Sequence, residues 1–127
     1  MDSSIIRKYD KRRTANLKLE AIKVFHKFIR QRDMDDACIS CGRYVMLEAG
    51  HFWSAGKFNQ LRFNEYNVHG QCKQCNYHLS GNLLKYRVNL IKKVGLDIVE
   101  GLDFIALRRS AFKDDRLLFI EIIEKYK

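Results

Sequence analysis

The sequence predicts an α+β, mainly helical fold in which a short hairpin and a helix are pinned by a metal ion, with a long helix before them and further helices after. Two observations carry this prediction. Four cysteines stand as two Cys-x-x-Cys pairs, Cys38/Cys41 and Cys72/Cys75, with thirty residues between the pairs. On either side of that stretch apolar residues recur every three or four positions, the period of a helix with one buried face. A chain of 127 residues with 46% hydrophobic content suffices for one compact domain with a real core. It divides into an N-terminal helix or arm (1–32), a metal-binding core (33–94) and a C-terminal helical extension (95–127).

From Ser4 to Arg32 there is no glycine or proline, and Leu17, Ala21, Ile22, Phe25, Phe28 and Ile29 mark one apolar stripe. This is a helix, best defined from Thr14 onward. Asp33 to Ala37 is an acidic break before Cys38-Ile-Ser-Cys41-Gly42-Arg43, where a tight turn aims two thiolates at one ion. Tyr44 to Phe52 reads as a strand, Ser54 to Gln60 as a loop, and Leu61 to Val68 as a second strand, which makes an irregular hairpin between the cysteine pairs. Phe52 and Trp53 are assigned to the core, and His26 is read as a partly buried helix residue. A helix is predicted from Cys75 to Val94, with Gly81 weakening its first turn and Gly95 stopping it. Leu96 opens an amphipathic segment with Ile98, Val99, Leu102, Ile105 and Ala106 as its buried side. A last helix, Lys113 to Tyr126, carries Leu117, Leu118, Phe119, Ile120, Ile122 and Ile123. Apolar on nearly all sides, it is expected to be buried in the domain or in a subunit interface, a candidate homodimer surface.

The chain carries a formal net charge of +9, which favours a polyanionic partner. The excess is uneven: residues 1–32 hold ten basic and three acidic side chains, 33–94 hold eight and five, and 95–127 hold six and seven. Nucleic-acid contacts are therefore expected in the first two thirds. The candidates are Arg7, Lys8, Lys11, Arg12 and Arg13 on the arm, and Lys57, Arg62, Lys73 and Arg87 around the core. The plainer reading of each is a solvated surface charge. No apolar run approaches the roughly 20 residues that span a bilayer, and the N-terminus is charged where a signal peptide is apolar. A soluble, intracellular protein without membrane contact is expected.

Paired thiols in such a chain read as metal ligands rather than disulfides. Cys38, Cys41, Cys72 and Cys75 suit a tetrahedral four-thiolate zinc site, which leaves no open position for water and so is structural. A knuckle, a hairpin and a helix beginning at the second pair make a treble-clef arrangement.

His51 falls at the end of the first strand, Asn67 five residues before Cys72, and Asn76 directly after Cys75. The three match the His-Asn-His pattern of metal-dependent nucleases. There the first histidine is a general base, the asparagine holds the loop that bears it, and the last residue binds a catalytic ion. An imidazole titrating near neutrality suits a base that activates water. An amide oxygen suits a hard cation such as Mg²⁺ or Mn²⁺. Many such nucleases place a metal-binding carboxylate directly before the base histidine, where this chain has Gly50. Glu48 shares the strand parity of Gly50 and is the candidate second ligand; His69 and His78 are the alternatives. His69 could instead bond within the hairpin, and His78 could face solvent.

The segments FIRQRD (28–33), CISCGR (38–43), AGHF (49–52), LRFNEYNVHGQCKQCNYHLSGN (61–82) and YRVNLIKKVG (86–95) together resemble the phage lambda NinG family of recombination proteins, also called Rap. The resemblance implies a ββα-metal (His-Me finger) core. It also implies a structure-specific endonuclease acting on Holliday junctions and D-loops, inside a phage-infected bacterium. Longer members carry a further cysteine-containing N-terminal region absent here. Two rival readings remain: a non-catalytic zinc-stabilised module that binds branched DNA and recruits recombination enzymes, and an interaction protein that docks through its apolar C-terminal segment.

Overall fold

The computed structural model describes residues 1–108 and 115–127. Its elements are α1 (Ser3–Arg7), α2 (Thr14–Arg32), β1 (Leu47–His51), a 3₁₀ turn (Asn59–Leu61), β2 (Val68–Cys72), a π-helical turn (Gln74–His78), α3 (Leu83–Val94), α4 (Leu96–Leu107) and α5 (Arg116–Tyr126). The fold is mixed α/β and mainly helical. Among the described residues, no helix is long and apolar enough to cross a membrane.

Two compact units are present. The described residues of Met1–Phe28 and Lys113–Lys127 form one unit, and those of Ile29–Phe112 the other. In the first, Leu17, Ala21 and Phe25 of α2 are buried, as are Phe119, Ile120, Ile122 and Ile123 of α5. Phe25 meets the Tyr126 ring edge-on at 5.1 Å. The continuous helix expected from Ser4 is interrupted. Asp2 caps α1 by accepting the Ser4 N–H at 2.9 Å, and the Arg116 guanidinium donates to the carbonyls of Tyr9 and Arg12, holding a turn ahead of Thr14. The predicted last helix is present from Arg116; its first two residues, 113 and 114, lie outside the described set.

The second unit is built on the antiparallel pair β1–β2, in the register Leu47↔Cys72, Glu48↔Gln71, Ala49↔Gly70, Gly50↔His69 and His51↔Val68. The second strand thus runs later than the predicted Leu61 to Val68. Asn64 accepts the Tyr66 N–H at 2.9 Å, and Asn67 bonds three backbone groups. These local side-chain bonds take the backbone out of a ladder. A core of Ile39, Phe52, Leu61, Tyr86, Leu90, Val99, Leu102 and Ala106 joins the hairpin to α3 and α4, with Trp53 partly buried against it. Ile98 is only half-buried and Ile105 is exposed, so the buried side of α4 is narrower than its sequence pattern.

The helix expected from Cys75 to Val94 is broken in two. Ser80, Gly81 and Asn82 all have positive φ. The Gly81 N–H bonds Cys75 O at 2.8 Å, and the Asn82 side chain donates to Cys75 Sγ at 3.4 Å. The chain leaves helical geometry at this point to wrap the cysteine, and α3 starts afresh at Leu83. Gly95 takes φ 97° between α3 and α4, a conformation glycine adopts without a Cβ clash.

Candidate metal centre and the residues around it

Cys38 and Cys41 come from the knuckle, Cys72 from the last position of β2, and Cys75 from the π-helical turn. All four are free thiols, and their sulfurs lie within 4.8 Å of one another. A tetrahedron with metal–sulfur bonds of about 2.3 Å sets its sulfurs about 3.8 Å apart. The Cys41–Cys72 separation is 3.7 Å. The cluster can hold a metal ion such as zinc.

Its surroundings suit thiolates. Backbone N–H groups of Cys72 and Cys75 donate to Cys38 Sγ (3.3 Å) and Cys72 Sγ (3.4 Å). Arg43 reaches Cys41 Sγ at 3.4 Å and Cys72 Sγ at 3.5 Å. Burial raises the Cys41 thiol, but hydrogen bonds from the side chain and backbone of Arg43 outweigh it and bring it to about 6. Burial pushes Cys75 up to about 12 despite the Asn82 amide. Sulfurs this close resist ionising together, and a dication between them removes that conflict.

The polar residues between the cysteine pairs divide over the hairpin. Side chains alternate along a strand, so Glu48 and Gly50 share one face with His69 and Gln71, while His51 lies on the opposite face with Val68. His51 is half-buried, and its Nε2 stands 3.0 Å from Arg62 O. A carbonyl only accepts, so Nε2 carries the proton and Nδ1 is the basic nitrogen of the neutral ring. Burial holds the imidazole below its usual pKa, partly countered by that carbonyl bond.

Asn67 is fully buried. Its Oδ1 accepts the Trp53 N–H at 2.9 Å, and its Nδ2 donates to Trp53 O at 3.0 Å and Leu61 O at 3.1 Å. One side chain thus ties both ends of the loop that follows His51. On the other face, Asn76 Nδ2 donates to Glu48 Oε1 at 3.0 Å, so these two residues, far apart in sequence, are adjacent. Turning the amide over would present its oxygen beside the carboxylate, a hard donor set suited to Mg²⁺ or Mn²⁺.

Gly50 has a steric reason. A Cβ there would stand 2.1 Å from Gln71 Oε1 and 2.7 Å from Gln71 Cβ. Gln71 fills that space, fully buried, donating to Ser40 Oγ at 2.8 Å and Gly81 O at 2.5 Å. The Tyr86 hydroxyl donates to Gly50 O at 2.7 Å. His69 lies under the hairpin against the Tyr86 ring, away from solvent. His78 is exposed on the π-helical turn, and His26 is half-buried on α2.

Arg7, Lys11, Arg13, Lys57 and Lys73 are exposed. Lys8 pairs with Glu124 at 3.0 Å and Arg12 with Glu20 at 3.6 Å. Arg62 donates to Ala55 O, and Arg87 grips Asp103 through two bonds of 3.0 and 2.8 Å, so both are engaged inside the fold. Sequence reasoning missed Arg43, although its place in CISCGR was visible. It also missed Asp33, a buried carboxylate that accepts the Gly70 N–H at 2.8 Å and a two-pronged grip from Arg32. Only a contact across 37 residues reveals that role.

Fold and site together define a small, mainly helical α/β protein with a four-cysteine cluster that could bind a metal. The chain belongs to the family described as Bacteriophage Lambda NinG protein, whose family model matches residues 2–127. It is 45% identical over 86 residues to Protein ninG of Escherichia phage lambda, an alignment covering 66% of this chain and 42% of that protein. Protein ninG of Salmonella phage P22 is 44% identical over 86 residues, with the same coverage of 66% and 42%. The chain therefore spans less than half the length of the curated relatives it matches. No solved structure matches it.

Proposed function

We propose that the chain is a metal-dependent endonuclease that cuts branched DNA recombination intermediates, such as Holliday junctions and D-loops, within the phage-infected host cell. The observation that carries this reading is the Asn67 clamp. A fully buried amide spends all its bonds on the loop behind His51, which is how a general base is held in place. The treble-clef, His-Me finger description of the core belongs to the same reading.

In this scheme His51 Nδ1 takes a proton from a water molecule, whose oxygen forms a bond to phosphorus. The bond from phosphorus to the 3′ oxygen breaks, and that oxygen departs and takes up a proton, leaving a 3′-hydroxyl end and a 5′-phosphate end. Glu48 and Asn76 would hold Mg²⁺ or Mn²⁺, which supplies positive charge to the phosphate and the leaving oxygen. Arg62 O fixes the tautomer that leaves Nδ1 basic. Cys38, Cys41, Cys72 and Cys75 would hold zinc, which would tie the knuckle, β2 and the π-helical turn together. Two chains joined through their C-terminal helices would supply the paired sites that a symmetric junction cut needs. Sedimentation at micromolar concentration tests that pairing, and a monomer would remove it.

The decisive experiment is cleavage of junction, flap, D-loop and linear DNA by zinc-loaded protein with Mg²⁺ or Mn²⁺, beside His51→Ala. Cleavage should be abolished in the variant while zinc content and DNA binding persist; a variant that cuts at the parent rate refutes the mechanism. Because burial lowers the His51 pKa and the base must be neutral, the acid limb of the rate profile should lie below about pH 6.5.

The second reading, a non-catalytic branched-DNA-binding module, draws support from Gly50, where Gln71 leaves no room for a carboxylate. It requires salt-sensitive junction binding with no cleavage under any metal.

A further inference from the structure

The π-helical turn carries a feature that the catalytic reading does not use. Tyr77, the residue after Asn76, is 73% exposed, and its ring meets the exposed His78 edge-on, with centroids 5.0 Å apart and planes at 89°. Lys73 stands exposed at the start of the same turn. An exposed aromatic ring on a mobile loop would be unremarkable, but this backbone is tethered. Leu79 N–H bonds Gln74 O at 2.9 Å, Gly81 N–H bonds Cys75 O at 2.8 Å, and Asn82 reaches Cys75 Sγ at 3.4 Å. Two of the four clustered sulfurs belong to Cys72 and Cys75, which bracket Lys73 and Gln74, and Cys75 lies two residues before Tyr77. The ring is thus presented to solvent by a fixed scaffold, so ordering it against a ligand costs little conformational entropy. Tyr44 is also exposed, at 80%, but it lies in the segment between the knuckle and β1, outside the π-helical turn that carries Asn76.

We propose that Tyr77, steadied by His78, is a stacking platform for an unpaired nucleobase at a DNA branch point, with Lys73 facing the adjoining phosphate. Every base offers a π-face, so such a platform selects unstacked bases without reading sequence. It would distinguish branched from fully paired DNA at the site where Asn76 approaches the backbone. The inference rests on the DNA-processing reading above and supplies what that reading lacks, a source of structural selectivity.

The test uses the full zinc-loaded chain carrying His51→Ala, so that binding is measured without cutting. The probes are a junction with 2-aminopurine at the branch point and a linear duplex of the same sequence. Tyr77→Ala should weaken junction binding about 5- to 150-fold, the range expected for one base–aromatic stack, and abolish the fluorescence change at the branch, with little effect on the duplex. Tyr77→Phe should keep both properties, because the ring and not the hydroxyl does the stacking. Unchanged junction affinity in Tyr77→Ala, an equal loss on duplex, a Tyr77→Phe as weak as Tyr77→Ala, or no binding by the parent would each overturn the platform. Cleavage by chains with His51 intact is scored separately. A chain that shows the Tyr77-dependent signal but never cuts leaves the platform standing and removes the nuclease reading. A chain that cuts with no dependence on Tyr77 does the reverse.

Discussion

The four-cysteine centre and the pair Glu48–Asn76 are neighbours on the hairpin and the π-helical turn, since Cys72 ends β2 opposite Leu47, the residue before Glu48, and Asn76 follows Cys75. They are built by opposite rules. Around the sulfurs, three of the four cysteines are buried, and backbone N–H groups, Arg43 and Asn82 all point inward. Around Glu48 and Asn76, one hydrogen bond of 3.0 Å joins two half-buried side chains. A closed cluster of four sulfurs suits a structural ion, whereas Glu48 and Asn76 form a single carboxylate–amide hydrogen bond with no such cage around it. The contrast teaches that polar contacts converge on the sulfurs from several segments, while the neighbouring pair rests on one contact between two side chains.

The sharpest way to break the comparison is to remove a sulfur. Cys72→Ser, or chelation of the loaded protein, should unfold the unit containing the hairpin, because metal binding in small zinc domains is worth on the order of 10–16 kcal/mol. Circular dichroism melting alongside metal quantification checks this, and a chelated protein that melts like the parent would make the centre dispensable. Asn67→Ala comes next. It strands the Trp53 N–H and two carbonyls, and should cost about 2–3 kcal/mol in denaturant unfolding while leaving zinc content intact. Gly50→Asp, which restores the carboxylate found in many nucleases of this pattern, should instead destabilise by about 1–3 kcal/mol, since its Cβ collides with Gln71. A neutral or stabilising effect in thermal melts would show that the strand yields more readily than its packing indicates.

The smallest effect concerns pH. Burial, with the nearby charges of Arg32 and Lys93, lowers His69 to about 3. A folded-state value below the unfolded one, about 6.5, means that the unfolded chain binds the proton first. Its contribution is therefore complete above about pH 6.5 and declines as pH falls towards 3. His69→Gln should flatten that part of the stability profile relative to the parent, as read from parallel unfolding curves across the range. Parallel slopes in the two proteins would contradict it.

Much of this was legible in one dimension. The cysteine spacing picked out the four thiols that cluster and could hold a metal, because such clusters are built from short turns whose geometry is local. Periodicity placed α2, α3 and α5, and Gly95 marked the break before α4, because a single left-handed residue ends a helix whatever surrounds it. The NinG family was readable from the ordered run of segments alone. Other features needed the folded chain. The second strand lay later than its composition indicated, because Asn64 and Asn67 divert the preceding backbone. The helix after Cys75 broke because Asn82 turns back to a sulfur. Gly50 is glycine because Gln71, on the neighbouring strand, occupies its side-chain space, and Asn76, in the turn after β2, meets Glu48 of β1 only in the folded chain. The sequence by itself determined which residues could bind metal and which segments could be helical, since those depend on neighbours along the chain. Only the tertiary structure decided which face of the hairpin each polar residue occupies and which of them meet, because both depend on pairing between residues far apart in sequence.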